Sequence, residues 1–324
     1  MHSSEVSLTP DRFSGGINIR PTIPGIWAGL FAVALFAMTA PASKLALNYY
    51  SAEMIASSRA LLAGIGALML ILIKTQRGNW SLPNRSQFGW LALAGLGVVV
   101  GFPYLLTLNL NTLSASQMGI VLAGLPLVTT VLASLLFGER HAKGFWLSAM
   151  VGCALLLLFF SFGNGNTESQ QNWSFSTGLI LIVQLLLGGL GYSCGAHVAR
   201  SLGGWQTICW TLVLYLPISA IVFGYTAGIE AKQIRTEDFY LLATTAILYL
   251  ALFSQWLGFK YWYQALAESG TGRISQIQLL QPFITMFVAV LFLGEAFQWS
   301  YLIFAGLIAI TVFVALRFKI TEKA

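Results

Sequence analysis

Ten stretches of this chain run for about twenty residues with almost no charged side chain, and that property limits the folds open to it. A hydrocarbon core about 30 Å thick is crossed by roughly 20 helical residues rising 1.5 Å each. The runs fall at Ile26–Leu47, Met54–Ile73, Phe88–Leu110, Ala115–Phe137, Phe145–Phe162, Thr177–Ala199, Trp205–Tyr225, Phe239–Leu266, Arg273–Phe292 and Tyr301–Phe318. Their apolarity is continuous where an outer-membrane barrel would alternate. Eleven acids and seventeen bases cannot wet a globule of 35.2 kDa. Charged residues make up 9% of the chain, against about 25% in a soluble domain. The expected fold is therefore an all-α integral membrane protein with ten transmembrane helices. A soluble enzyme and a nucleic-acid binder are excluded despite the net charge of +6.

The bases set the expected orientation. Arg12, Arg20, Lys74, Arg77, Arg85, Arg140, Lys143, Arg200, Arg273, Arg317, Lys319 and Lys323 gather on one set of helix ends. Lys44, Lys232 and Arg235 fall on the other. A bias of this size places both termini in the cytoplasm, and the basic composition needs no phosphate-bearing partner. Residues 1–25 contain no apolar core of a signal peptide and read as a cytoplasmic tail; 319–324 form a second one. The polar stretch 163–176 reads as an extracytoplasmic linker dividing the spans into two sets of five, 26–162 and 177–318.

These halves carry an internal repeat. GLPLVTTVLASLLFGER aligns with LQPFITMFVAVLFLGEA at an offset of 156, the separation of Pro126 and Pro282. Thr129, Ala133, Leu135, Gly138 and Glu139 match Thr285, Ala289, Leu291, Gly294 and Glu295, and Lys44 aligns with Arg200. An odd number of spans per half makes the second half enter from the opposite side, a 5+5 inverted-topology repeat. Such repeats place a transport site at the midplane, where helices are interrupted. Pro126 and Pro282 are the expected midplane helix breaks, since proline removes an i→i−4 hydrogen bond. The Gly-Glu pairs read as corners that start helices.

Ten spans, a five-plus-five repeat and a proline followed thirteen residues later by the glutamate of a Gly-Glu pair resemble the EamA-type members of the drug/metabolite transporter superfamily. The resemblance covers Ile26–Phe318 and rests on a short motif. It implies a carrier for small metabolites, often an exporter, whose central cavity is lined by the third and fourth helices of each half.

Ionisable groups at the centre of a span cost roughly 2.5–3.5 kcal/mol on insertion scales, so each needs a reason. Arg59 lies about six residues into the second span, where its planar fork suits a carboxylate or phosphate. No acidic residue falls in mid-span, which argues against coupling through a buried carboxylate. Gln278 and Gln281 share a helix face beside Pro282, and Tyr104 and Trp256 sit in the third span of each half. Arg59, Tyr104, Trp256, Gln278 and Gln281 are the expected substrate-binding residues. Asn109, Gln117, Gln184 and His197 are secondary candidates whose ordinary role is interhelical bonding. Glycines 95, 97, 101, 188, 189, 191 and 195 allow close helix approach.

The function expected is a carrier that moves a small polar or amphipathic metabolite, an amino acid or related carboxylate, outward by alternating access. Its partners are that solute and the lipid bilayer, as monomer or homodimer in a bacterial inner membrane. No cofactor, metal or catalytic residue is expected; Cys153, Cys194 and Cys209 lie singly in apolar runs. The rival readings are a channel and an integral-membrane enzyme. For the enzyme, the sequence offers only GYSCG, a formal GxSxG match with Ser193 and His197 on one helix face. That motif needs a strained strand-to-helix turn.

Overall fold

A computed structural model describes residues 23–317, except 77, 79, 81, 139, 142, 163–174 and 231–240, together with 320 and 321. Most of both tails, most of the linker, Glu139, Lys232 and Arg235 therefore lie outside the described residues. Among the described residues, the regular structure is helical apart from a two-residue antiparallel pairing of β1 (Arg140–His141) with β2 (Ile320–Thr321). With no water in the hydrocarbon region, only backbone whose hydrogen bonds close internally can cross it.

The first half contains α1 (Ile23–Ala37), α2 (Thr39–Ala46), α3 (Ala52–Gln76), α4 (Arg85–Gly95), a π-helical segment (Leu96–Gly101), α5 (Phe102–Asn109), α6 (Ala115–Leu122), α7 (Leu125–Phe137) and α8 (Lys143–Phe162). The second contains α9 (Phe175–Glu230), α10 (Leu241–Tyr249), a π-helical segment (Leu250–Gly258), α11 (Phe259–Ser269), α12 (Thr271–Ile274), a 3₁₀ turn (Ser275–Leu280), α13 (Gln281–Leu293) and α14 (Trp299–Arg317). Among the described residues, six helical stretches are long and apolar enough to cross a membrane, with shorter apolar helices at 277–293 and 299–314. One of the six, 176–230, contains the non-helical Gly203, with φ 76° and ψ 163°.

The repeat written in the sequence is also written in the backbone. Helices α7 and α13 have the same length and the same offset as their two prolines. Each begins at a break and carries its proline in the first turn, where the missing N–H is not needed. Each ends on a glycine in the left-handed region, Gly138 at φ 75° and Gly294 at φ 66°. The two π-helical segments overlap at the same offset, in the third span of each half.

The core lies where α9 packs against α3, α4, α5, α7 and α11. Much of the outer surface is apolar as well; Phe292 is 73% exposed and Ile221 72%, as lipid contact allows. At the contact of α4 and its π-helical extension with α9, Gly97 and Gly191 meet backbone to backbone. A Cβ on Gly97 would lie 2.3 Å from the Leu187 carbonyl oxygen and 2.7 Å from the Gly191 Cα. Gly97→Ala must push the helices apart, and should cost about 1–3 kcal/mol, seen as a lower melting temperature in detergent. Gly89→Ala, with open space around it, should melt no lower than the parent. Equal melting of Gly97→Ala and the parent would show that this contact is loose.

Candidate functional site

The first span breaks at Met38, between α1 and α2, and side chains from the second half close the break. Tyr249 donates its hydroxyl to the Leu35 carbonyl at 2.9 Å, Gln281 its amide to Phe36 at 3.5 Å, and Thr285 its hydroxyl to Ala37 at 2.8 Å. Polar groups from the ends of α10 and α13 thus converge on one turn of the first span. This break carries no proline or glycine, and the sequence reading missed it. The adjacent Pro41 and the run of small residues Thr39–Ser43 were the available signal.

Just past the break, the Thr39 hydroxyl pairs with that of Ser254 at 2.8 Å, and Ser254 accepts a hydrogen bond from Nη2 of Arg59 at 3.2 Å. Arg59 is 2% exposed. Its Nε and Nη1 have no hydrogen-bond partner, and no carboxylate among the described residues bonds to it. The hydroxyls of Tyr192 and Tyr249 are within electrostatic range. A guanidinium in such surroundings leaves several donors unanswered, a cost that a bound anion would remove.

Tyr192 links the arginine to the glutamines. Its hydroxyl accepts from Nε2 of Gln278 at 3.4 Å, and Gln278 also reaches Oε1 of Gln281 at 3.2 Å. Oε1 of Gln278 is buried without a partner. The ring of Tyr192 stands among Phe36, Phe259 and Trp262, with centroids 5.6–6.4 Å away. The indole N–H of Trp262 also has no partner. One cation, unanswered amide and indole groups and a wall of aromatic rings therefore meet in one buried region.

Of the residues expected to bind substrate, Arg59, Gln278 and Gln281 fall in this region. Tyr104 does not join it; its hydroxyl donates to Glu53 at 3.0 Å, six residues before Arg59 on α3, about 9 Å along the helix. Trp256 also points elsewhere, with its N–H on Sγ of Cys209 at 3.3 Å and its ring against Gly66. Ser254 and Thr39 were not singled out, because serine and threonine inside apolar spans ordinarily bond their own helix; Tyr192 was not singled out because a tyrosine in a span ordinarily packs as an aromatic.

The secondary candidates act as connectors. Asn109 donates to Gln184 at 2.7 Å, and Gln117 closes a capping box with Ser114 while reaching Tyr301. The GxSxG match is plain helix. Ser193 Oγ lies 2.8 Å from the Gly189 carbonyl and 2.9 Å from that of Thr129, and His197 stacks on Phe137 at 4.4 Å. No group of three metal-ligating side chains occurs among the described residues.

Arg59→Met gives a direct check on the role of the arginine. A buried charge held only for structure would leave its partners unbonded when removed, with a loss of about 3–5 kcal/mol. A cation kept without a counter-ion should instead be replaceable, with the melting temperature of the ligand-free protein unchanged or raised.

A family profile described as "EamA-like transporter family" matches residues 23–161 and 176–317. The chain is 32% identical over 272 residues to "Uncharacterized transporter YdeK" of Bacillus subtilis (strain 168), covering 84% of this chain and 90% of that one. It is 22% identical over 281 residues to a "Probable terminal-alkyne amino-acid exporter" of Streptantibioticus cattleyicolor, covering 83% and 86%. A solved crystal structure superposes with a TM-score of 0.61 at 15% identity, over 90% of this chain and 97% of that one, a likeness of fold alone.

Proposed function

Because this chain belongs to the EamA-like transporter family, a family of multi-pass membrane transporters, we propose that it is a carrier that exports a small anionic or zwitterionic metabolite by alternating access. The single observation carrying the reading is Arg59, buried in the bundle with two guanidinium nitrogens unanswered. An amino acid or related carboxylate is the solute class that fits. Its carboxylate would take the free donors of Arg59, with Gln278 and Gln281 alongside and the aromatic wall receiving the apolar part. Outward movement of an amino acid finds support in the name of the Streptantibioticus relative.

The architecture proposed is ten spans in two inverted sets of five. The two arms of α9 either side of Gly203 count as separate spans, and 26–162 and 177–318 form the two repeats. The matching of α7 with α13 supports the repeat, and an odd number of spans in each half supports its inversion. Pro126 and Pro282 start the second pieces of the two broken helices, near the proposed midplane. The base distribution supports cytoplasmic termini in a bacterial inner membrane. The β1–β2 pairing supports it too, joining the end of the last span to the corner after α7 on one face.

Counterflow in proteoliposomes tests the proposal. Saturable exchange of a labelled carboxylate solute is expected, and it separates a carrier from a channel. Arg59→Ala combined with Gln281→Ala should lower it by about tenfold or more, the scale of one lost charge-assisted bond. Full exchange by the double variant would remove Arg59 and Gln281 from the site.

A further inference from the structure

The Gly-Glu corner of the second repeat does more than start a helix. Glu295 follows the left-handed Gly294, and its carboxylate reaches the other half of the molecule. Oε1 accepts from the backbone N–H of Ala115 at 2.7 Å, and Oε2 from that of Ser116 at 3.1 Å. These are first-turn donors of α6, which have no partner within their own helix. Ser114 and Gln117 satisfy the neighbouring donors through their capping box. The first turn of the fourth span is thus completed by a carboxylate from the far repeat, the charge its dipole favours.

Lys44 answers on the other side of the same turn. Its ammonium donates to the carbonyl oxygens of Leu110 and Leu113, where α5 ends. Among the described residues, Glu295 is the charged side chain near enough to favour the ammonium. A turn of five residues between α5 and α6 is therefore held by a cation from α2 at its carbonyl end and an anion from the corner after α13 at its amide end. Tyr301 of α14 adds a bond to Gln117 at 3.1 Å.

We propose that Lys44 and Glu295 form a latch that closes this face of the carrier. Both groups are half-buried and stand at span ends, where water can replace the bonds when the segments part. Two buried hydroxyls beside them, Ser43 and Ser116, have no hydrogen-bond partner in the closed arrangement. Such groups are satisfied by water once the face opens, which lowers the cost of opening. At the opposite end, Arg200 occupies the place of Lys44 in the repeat. There it lines an open cavity of about 330 Å³ with Gly203, Gly204, Gln264 and Glu268. The latch as a gate rests on the carrier proposal above.

Labelling of a reporter cysteine tests it without relying on transport. In a chain carrying Cys153→Ala, Cys194→Ala and Cys209→Ala, the fully buried Ser43 is replaced as Ser43→Cys and exposed to a membrane-impermeant maleimide in proteoliposomes. Slow labelling is expected in this parent. Glu295→Gln and, independently, Lys44→Met should each speed it by about tenfold, from the loss of a helix-end interaction. Equal labelling of the parent and both variants, at equal melting temperatures, would overturn the latch. Faster labelling in chains that exchange no solute would support the latch and count against the carrier reading alone.

Discussion

Backbone groups inside a bilayer have no water to turn to, and this constraint shapes both the helices and the places where they fail. Where the first span breaks at Met38, the exposed carbonyls of Leu35, Phe36 and Ala37 are bonded by Tyr249, Gln281 and Thr285. In the third span, the π-helical Val98 carbonyl is bonded by Gln255 at 2.7 Å. At the start of α6, free amides are bonded by Glu295. In each case the side chain comes from the second half and the open backbone from the first. The repeats are joined through the irregular backbone itself, so a movement of one half changes which groups in the other are satisfied.

Arg59 stands beside the most heavily bonded of these breaks. Its one hydrogen bond runs to Ser254, and from there to Thr39 at the start of α2. An anion on the free Nε and Nη1 donors would share the guanidinium with the contact that ties α3 and the π-helical segment to the broken first span. A solute held there can bias a rearrangement only by the difference in its affinity for the two arrangements.

The sequence made the membrane fold, the repeat and Arg59 legible for separate physical reasons. Long apolar runs follow from bilayer thickness, and the paired Pro126 and Pro282 survive as equal helices α7 and α13. Arg59 is conspicuous because a charge in a span is costly. The break at Met38 lies one turn before Pro41, whose missing N–H leaves the Ala37 carbonyl open, and bonding from the distant Tyr249, Gln281 and Thr285 completes it. Tyr104 and Trp256 drew attention as large polar aromatics, yet Glu53 and Cys209 hold them elsewhere. Spacing along a helix told which residues could share a face; only packing told which face met the arginine.

If Arg59 is a cation kept for a solute, solutes that carry a carboxylate should stabilise the folded protein. Thermal melting of the purified protein against a panel of amino acids, carboxylates, neutral amides and organic cations tests it most directly. A ligand that binds the folded form raises its melting temperature in proportion to RT ln(1 + [L]/Kd). Carboxylate-bearing solutes are expected to stabilise the parent and to lose that effect in Arg59→Met, with the ligand-free melting temperature not lowered. Stabilisation by neutral amides or cations that survives in Arg59→Met would contradict it.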